Sequence, residues 1–199
     1  MINNYIKNSK LLKKNHVYSE EMEHDACGVG AIVSTEGKKS RVIVEYGIEA
    51  LKAVWHRGAV DADGKTGDGA GIHLEIPKDF FIEKIEVTGH DYDNSEICVG
   101  MIFLPRNDYS SQESCKTIVE SELTKNNFSI YGWRQVPVNP KILGQKAFQT
   151  MPEIMQVLFK SNDKNLLDKD LERKIYETRK KIENKAFQLS LNNFYICSI

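Results

Sequence analysis

No stretch of this chain stays apolar for anything near the roughly 20 residues of a membrane-spanning helix, so a helical span is excluded. Neither sign of charge dominates. Against 28 Asp and Glu stand 27 Lys and Arg, and the net charge of −1 implies no large attraction to nucleic acid or an anionic membrane. No Cys-x-x-Cys pair occurs. Cys27, Cys98, Cys115 and Cys197 are widely spaced, which supports neither a zinc site nor a disulfide framework. Reduced thiols in a cytoplasmic protein are the simpler reading. The N-terminus lacks the apolar core of a secretory signal, because Lys7, Lys10, Lys13 and Lys14 are followed by Glu20, Glu21, Glu23 and Asp25. No internal repeat or low-complexity linker breaks the 199 residues, so one domain with a sizeable core is the economical reading. A content of 41% hydrophobic and 28% charged residues is ordinary for a soluble globular domain.

What is present is a mixture of strand and helix signals. Residues 28–34 read as a strand, and Gly37 marks a turn. Ser40 is placed to cap a helix reaching about His56, with Val44, Ile48, Leu51 and Trp55 as its apolar stripe. The run Val42-Ile43-Val44 leaves the start of that helix open. Residues 56–71 read as loop, and 72–76 as a strand ended by Pro77. Further strands are predicted at 97–104, 128–136, 154–159 and 194–199. Helices are predicted at 112–126, capped by Ser110 or Ser111, and at 166–189. The second carries Leu167, Leu171, Ile175 and Ile182 on one face, and its charges read as a solvated face. Cys98 and Cys197 sit in apolar strand-like runs and read as core, Cys115 as a helix residue. Separate helices and strands in this order suit an α+β fold.

The most suggestive stretch is Glu23-His24-Asp25-Ala26-Cys27-Gly28-Val29-Gly30. Cys27 opens an apolar run after a polar leader. If the Ala26–Cys27 bond is cut, Cys27 carries both a thiol and a free α-amine. An α-amine has an ordinary pKa of about 7.7–8.0 and can serve as the thiol's own base. The bland alternative is a small buried cysteine at the start of a strand.

Thr66-Gly67-Asp68-Gly69-Ala70-Gly71 has the look of a phosphate loop, but no Gly-Lys-Ser/Thr ending follows. Asp61-x-Asp63 hints at a calcium loop, yet Lys65, Thr66 and Ile72 stand where a ligand, the turn glycine and the bidentate Glu belong. Both readings are rejected. The glycines read instead as positions where backbone passes close to a neighbouring strand, with Asp68 positioning the loop.

His24-Asp25-Ala26-Cys27-Gly28-Val29-Gly30, His56-Arg57-Gly58-Ala59 and Thr66-Gly67-Asp68-Gly69-Ala70-Gly71-Ile72 together resemble the class II glutamine amidotransferase region of glutamate synthase large subunits. The resemblance continues through Phe103-Leu104-Pro105, Gly132-Trp133-Arg134-Gln135-Val136-Pro137 and Phe194-Tyr195-Ile196-Cys197-Ser198. Several motifs in one order are far more specific than any one of them. The resemblance implies a four-layer αββα N-terminal-nucleophile hydrolase sandwich. Residues 1–26 would be a propeptide or disordered leader, and 27–199 the N-terminal part of the domain.

By that resemblance Cys27 is the catalytic nucleophile and Ala26–Cys27 the processing site. Arg57, Gly58 and Asp68 would bind substrate or support the site, while His56 would not be the general base. Glutamine would be hydrolysed to glutamate and ammonia, the latter used to make glutamate from 2-oxoglutarate. The structural alternative is Arg57 pairing with a helix C-terminus and Gly58 ending the helix. For Trp133 and Arg134 a packed indole and an edge arginine suffice.

The family's carboxylate-binding Arg, its oxyanion-hole Asn-Gly and its amine-binding Asp match nothing within these 199 residues. The sandwich is therefore expected to be incomplete at its C-terminus, and the 199 residues alone inactive or very weak. No cofactor or metal is expected in this chain. FMN and an iron–sulfur cluster would belong to the full-length parent. The expected partners are the remainder of the large subunit and a small subunit. Another class II amidotransferase, or a truncated non-catalytic interaction fragment, are the alternatives.

Overall fold

The computed structural model describes residues 7, 8, 10, 11, 14, 28–55, 58–163, 166 and 168–199. The chain divides into two compact units, one of residues 1–60 with 67–72, the other of 61–66 with 73–199.

In the first unit the helix α1, Arg41–Ala53, begins where the sequence places it. The Ser40 hydroxyl accepts the Val42 N–H at 3.2 Å, so Val42-Ile43-Val44 is helical. Val44, Ile48 and Leu51 are half-buried, while Trp55 lies beyond the helix and is exposed. Gly37 turns the chain before it with a φ of 65°. Two predicted strands do not form. Residues 28–34 and 72–76 are irregular backbone. Val29 and Val33 are 92% and 79% exposed, and Ile72 and Leu74 are 44% and 42% exposed. An apolar run becomes a strand only when another strand pairs its backbone groups, and the described residues offer neither run a partner.

The second unit is built on four antiparallel strands: β1 (Cys98–Leu104), β2 (Phe128–Gln135), β3 (Glu153–Ser161) and β4 (Tyr195–Ser198). Their order is β2-β3-β1-β4. Among the described residues four α-helices accompany them: α2 (Lys78–Val87), α3 (Tyr109–Lys125), the short α4 (Gln145–Thr150) and α5 (Asp168–Gln188). β1 alternates strictly between buried and half-buried residues, as one well-covered sheet face requires.

On that face Ile102, Leu104, Val157, Phe159 and Ile196 pack with Cys115, Val119 and Leu123 of α3 and Ile175 and Ile182 of α5. On the other face Phe81 and Ile85 of α2 meet Tyr131 and Leu158. A buried aliphatic or aromatic side chain contributes about 1.5–3 kcal/mol, so these two clusters hold the unit together. The class is α+β, as expected, and the sheet is antiparallel.

Some details differ from the sequence reading. α2 was not predicted: Pro77 opens a helix there rather than merely ending a strand. The α3 cap is Asp108, whose carboxylate accepts the Ser111 N–H at 3.0 Å, not Ser110 or Ser111. Cys197 is exposed instead of core. β4 is an edge strand whose inward residue is Ile196, so its neighbour Cys197 faces out.

Candidate active site

Cys27, Ala26, His56 and Arg57 lie outside the described residues; Gly58 and Asp68 lie within them. α1 ends at Ala53 with Val54 as its C-cap, so Gly58 does not terminate the helix. It closes a separate turn in which its N–H donates to the Trp55 carbonyl at 3.1 Å.

A narrow hairpin follows directly. The Ala59 N–H donates to the Asp68 carboxylate at 2.9 Å, and the Asp68 N–H returns a bond to the Ala59 carbonyl at 3.2 Å. Val60 and Gly67 form an antiparallel bridge. Asp68 thus fastens the chain immediately after Arg57-Gly58 in a defined loop. Of the glycines read as points of close approach, only Gly67 is one: a Cβ there would sit 3.1 Å from the Ala59 carbonyl oxygen, whereas Gly69 and Gly71 face open space.

At the hairpin tip the two acids suspected of calcium binding are engaged by the protein itself. Asp61 pairs with Lys146 at 2.7 Å. Asp63 accepts the Lys65 and Thr66 N–H groups and the Thr66 hydroxyl at 2.9, 2.7 and 2.6 Å. Those bonds, led by the hydroxyl, hold the Asp63 carboxyl well below its ordinary range. Among the described residues no group of three or more His, Cys, Asp or Glu side chains could hold a metal ion.

The described cysteines narrow the choice of nucleophile. Cys98 on β1 and Cys115 on α3 are buried, and burial pushes their thiols up to about 12 and about 11. At neutral pH neither supplies a thiolate. These two and the edge residue Cys197 stand on three separate elements. An open cleft of about 550 Å³ is lined by Lys84, Arg134, Gln135, Val136, Pro137 and Val138. Its lining holds no Cys, Ser, Thr, His, Asp or Glu.

Gly132-Trp133-Arg134 proves to be a fastener for the fold. Gly132 lies at a bulge in β2 with a φ of 144°, and a Cβ there would meet the Thr88 methyl at 2.9 Å. The Thr88 hydroxyl at the end of α2 reaches the Tyr131 carbonyl at 2.8 Å. The Trp133 indole donates to Glu120 of α3 at 2.7 Å. Arg134 donates to Gln156 of β3 at 2.7 Å and stacks 5.1 Å over the Phe80 ring of α2. The motif ties an edge strand to three neighbours, in keeping with the packed-indole and edge-arginine reading.

A family model for class-II glutamine amidotransferases matches residues 27–199, and the chain belongs to that family. Among its relatives, the glutamate synthase [NADPH] large chain of Azospirillum brasilense is 50% identical over 192 residues, covering 96% of this chain and 13% of the relative. The ferredoxin-dependent glutamate synthase of Pyropia yezoensis is 38% identical over 198 residues, or 96% and 12% of the two chains. A ferredoxin-dependent glutamate synthase of Arabidopsis thaliana is 39% identical over 179 residues, covering 89% of this chain and 11% of the relative. The chain therefore spans only about an eighth of the curated relatives it matches.

Proposed function

We propose that this chain is the nucleophile-bearing part of the glutamine-hydrolysing domain of a glutamate synthase, with Cys27 as its nucleophile. The observation that carries this reading is the family match, which begins at Cys27 and runs to residue 199. The raised pKa values of Cys98 and Cys115 add to it.

Residues 1–26 are the segment removed. The Cys27 thiol attacks the Ala26 carbonyl and the Ala26–Cys27 C–N bond breaks, which frees the α-amine and leaves a thioester; water hydrolyses that thioester, releasing residues 1–26 as a carboxylic acid and restoring the thiol. In catalysis the Cys27 sulfur attacks the side-chain amide carbon of glutamine. The thiol proton passes through the α-amine to the leaving nitrogen, ammonia departs and a thioester remains. Water then attacks that carbonyl, gives its proton to the amine, and glutamate leaves as the thiol is restored.

Arg57 and Gly58 support the nucleophile, and Asp68 holds the chain that leaves them. The oxyanion donors and the groups that grip the α-carboxylate and α-amine of glutamine come from the remainder of the large subunit. So do FMN and the iron–sulfur cluster, which serve glutamate formation from 2-oxoglutarate; a small subunit is a further partner. The four-layer sandwich belongs to this reading, with the described sheet and the α3–α5 pair as one sheet and one helical layer. Cytoplasmic placement goes with the reduced thiols.

The test is glutamine hydrolysis by the full-length protein and its Cys27→Ala variant. Loss of glutamine turnover by several orders of magnitude, with the fold retained, is expected. Undiminished turnover would instead favour a non-catalytic role for this segment.

A further inference from the structure

Two acids and a threonine in the hairpin that follows Gly58 serve no step of the chemistry above. All three converge on one distant segment. Asp61 takes the Lys146 ammonium on both carboxylate oxygens, at 2.9 and 2.7 Å, across 85 residues of sequence. The Thr66 hydroxyl oxygen accepts the Ala147 N–H at 3.4 Å while it donates to Asp63. Between these contacts lies Gly144, which is buried. A Cβ at Gly144 would fall 2.2 Å from the Thr66 hydroxyl oxygen, 2.4 Å from an Asp63 carboxylate oxygen and 2.5 Å from the Thr66 backbone nitrogen. The Thr66 hydroxyl donates to that same Asp63 oxygen and the Thr66 N–H to the other oxygen of the carboxylate, so no flexible side-chain end can yield. Only glycine lets the two segments close.

Gly64 makes its turn at a φ of 68°, and the Asp61 N–H bonds the Thr66 carbonyl at 2.7 Å. The next rungs are Val60–Gly67 and Ala59–Asp68, and Gly58 and Arg57 precede Ala59 in the chain.

We propose that residues 61–66 and 144–147 form a latch, and that its members Gly144 and Thr66 are positioning residues for glutamine hydrolysis. The role in hydrolysis rests on the reading of Cys27 and Arg57 given above; the latch itself does not. Exposed ion pairs contribute little, so the Asp61–Lys146 pair is secondary to the close Gly144–Thr66 approach.

The experiment uses the full-length protein with Gly144→Ala, Thr66→Val and Thr66→Ser. Misplacing a supporting residue by about 1 Å typically costs about 10²-fold in rate. Gly144→Ala and Thr66→Val are therefore expected to lower kcat for glutamine by about 10–100-fold with little change in KM. Thr66→Ser, which keeps the hydroxyl, is expected to restore kcat to within a few-fold. Hydrogen exchange at the Ala59 and Asp61 amides should accelerate in Gly144→Ala. A fall in kcat that only follows loss of folded protein, or one that Thr66→Ser leaves uncorrected, overturns the positioning role. Unchanged exchange at Ala59 and Asp61 overturns the latch whatever the activity. If Cys27→Ala still hydrolyses glutamine, the nucleophile reading fails, and the exchange result judges the latch by itself.

Discussion

Gly132 illustrates how much can rest on one missing methyl group. Its backbone lies in the left-handed half of φ, and the space a Cβ would need is taken by Thr88. Gly132→Ala combines backbone strain with a clash, each of order 1–3 kcal/mol, so thermal unfolding of the protein should fall by several degrees. Glu122 makes the opposite point, because here a charge is kept in a nearly closed place. It is 5% exposed, and Lys185 and Lys125 bond its carboxylate. The Lys185 bond is the chief reason its pKa lies below the ordinary 4.5. A depressed carboxylate pKa stabilises the fold above the unfolded value and loses that effect as pH falls through the folded one. Glu122→Gln should thus melt a few degrees lower than wild type at pH 7, and the gap should close below about pH 4.5; melting curves across that range check it. Neither residue was legible in the sequence. Gly132 stood in a recognised motif, but only the three-dimensional proximity of Thr88 explains it. Glu122 was one of many charges on a helix that alternates poorly.

Among the elements, helix α1 follows a local rule that sequence alone reveals. Ser40 caps it and Gly37 turns the chain into it. Ser40→Ala should cost about 1 kcal/mol of local helix stability, visible as faster hydrogen exchange at the Val42 and Ile43 amides. The strands of the sheet were legible for a similar reason: β1 and β3 carry apolar runs, each with four buried residues. The segments 28–34 and 72–76 have the same local pattern and yet are irregular. Apolar alternation states what a segment would do with a partner strand and says nothing of whether one is there. α2 was missed because Phe80-Phe81-Ile82 masks helical spacing, and only the burial of Phe81 and Ile85 on one side reveals it. For the candidate site, the hairpin was legible as a loop, and Asp68 as its organiser. The engagement of Asp61, Asp63 and Thr66 with residues 144–147 was not, since pairing across more than 80 residues leaves no local trace.

At the scale of the whole molecule, the chain corresponds to 11–13% of the length of its glutamate synthase relatives. On the proposed reading the oxyanion donors come from the remainder. Removing even one such donor typically slows an enzyme about 10²–10³-fold, so the 199 residues assayed by themselves should hydrolyse glutamine at least that much more slowly than the full-length protein. The central claim is that Cys27 is a processed, N-terminal nucleophile. Its most direct test is to treat the full-length protein with a glutamine-analogue electrophile and map the adduct by peptide mass. The expected result is a modified peptide that begins at Cys27 and carries no residue before it, with labelling abolished in Cys27→Ala. An adduct on another residue, or an active protein whose Ala26–Cys27 bond is intact, would contradict the claim.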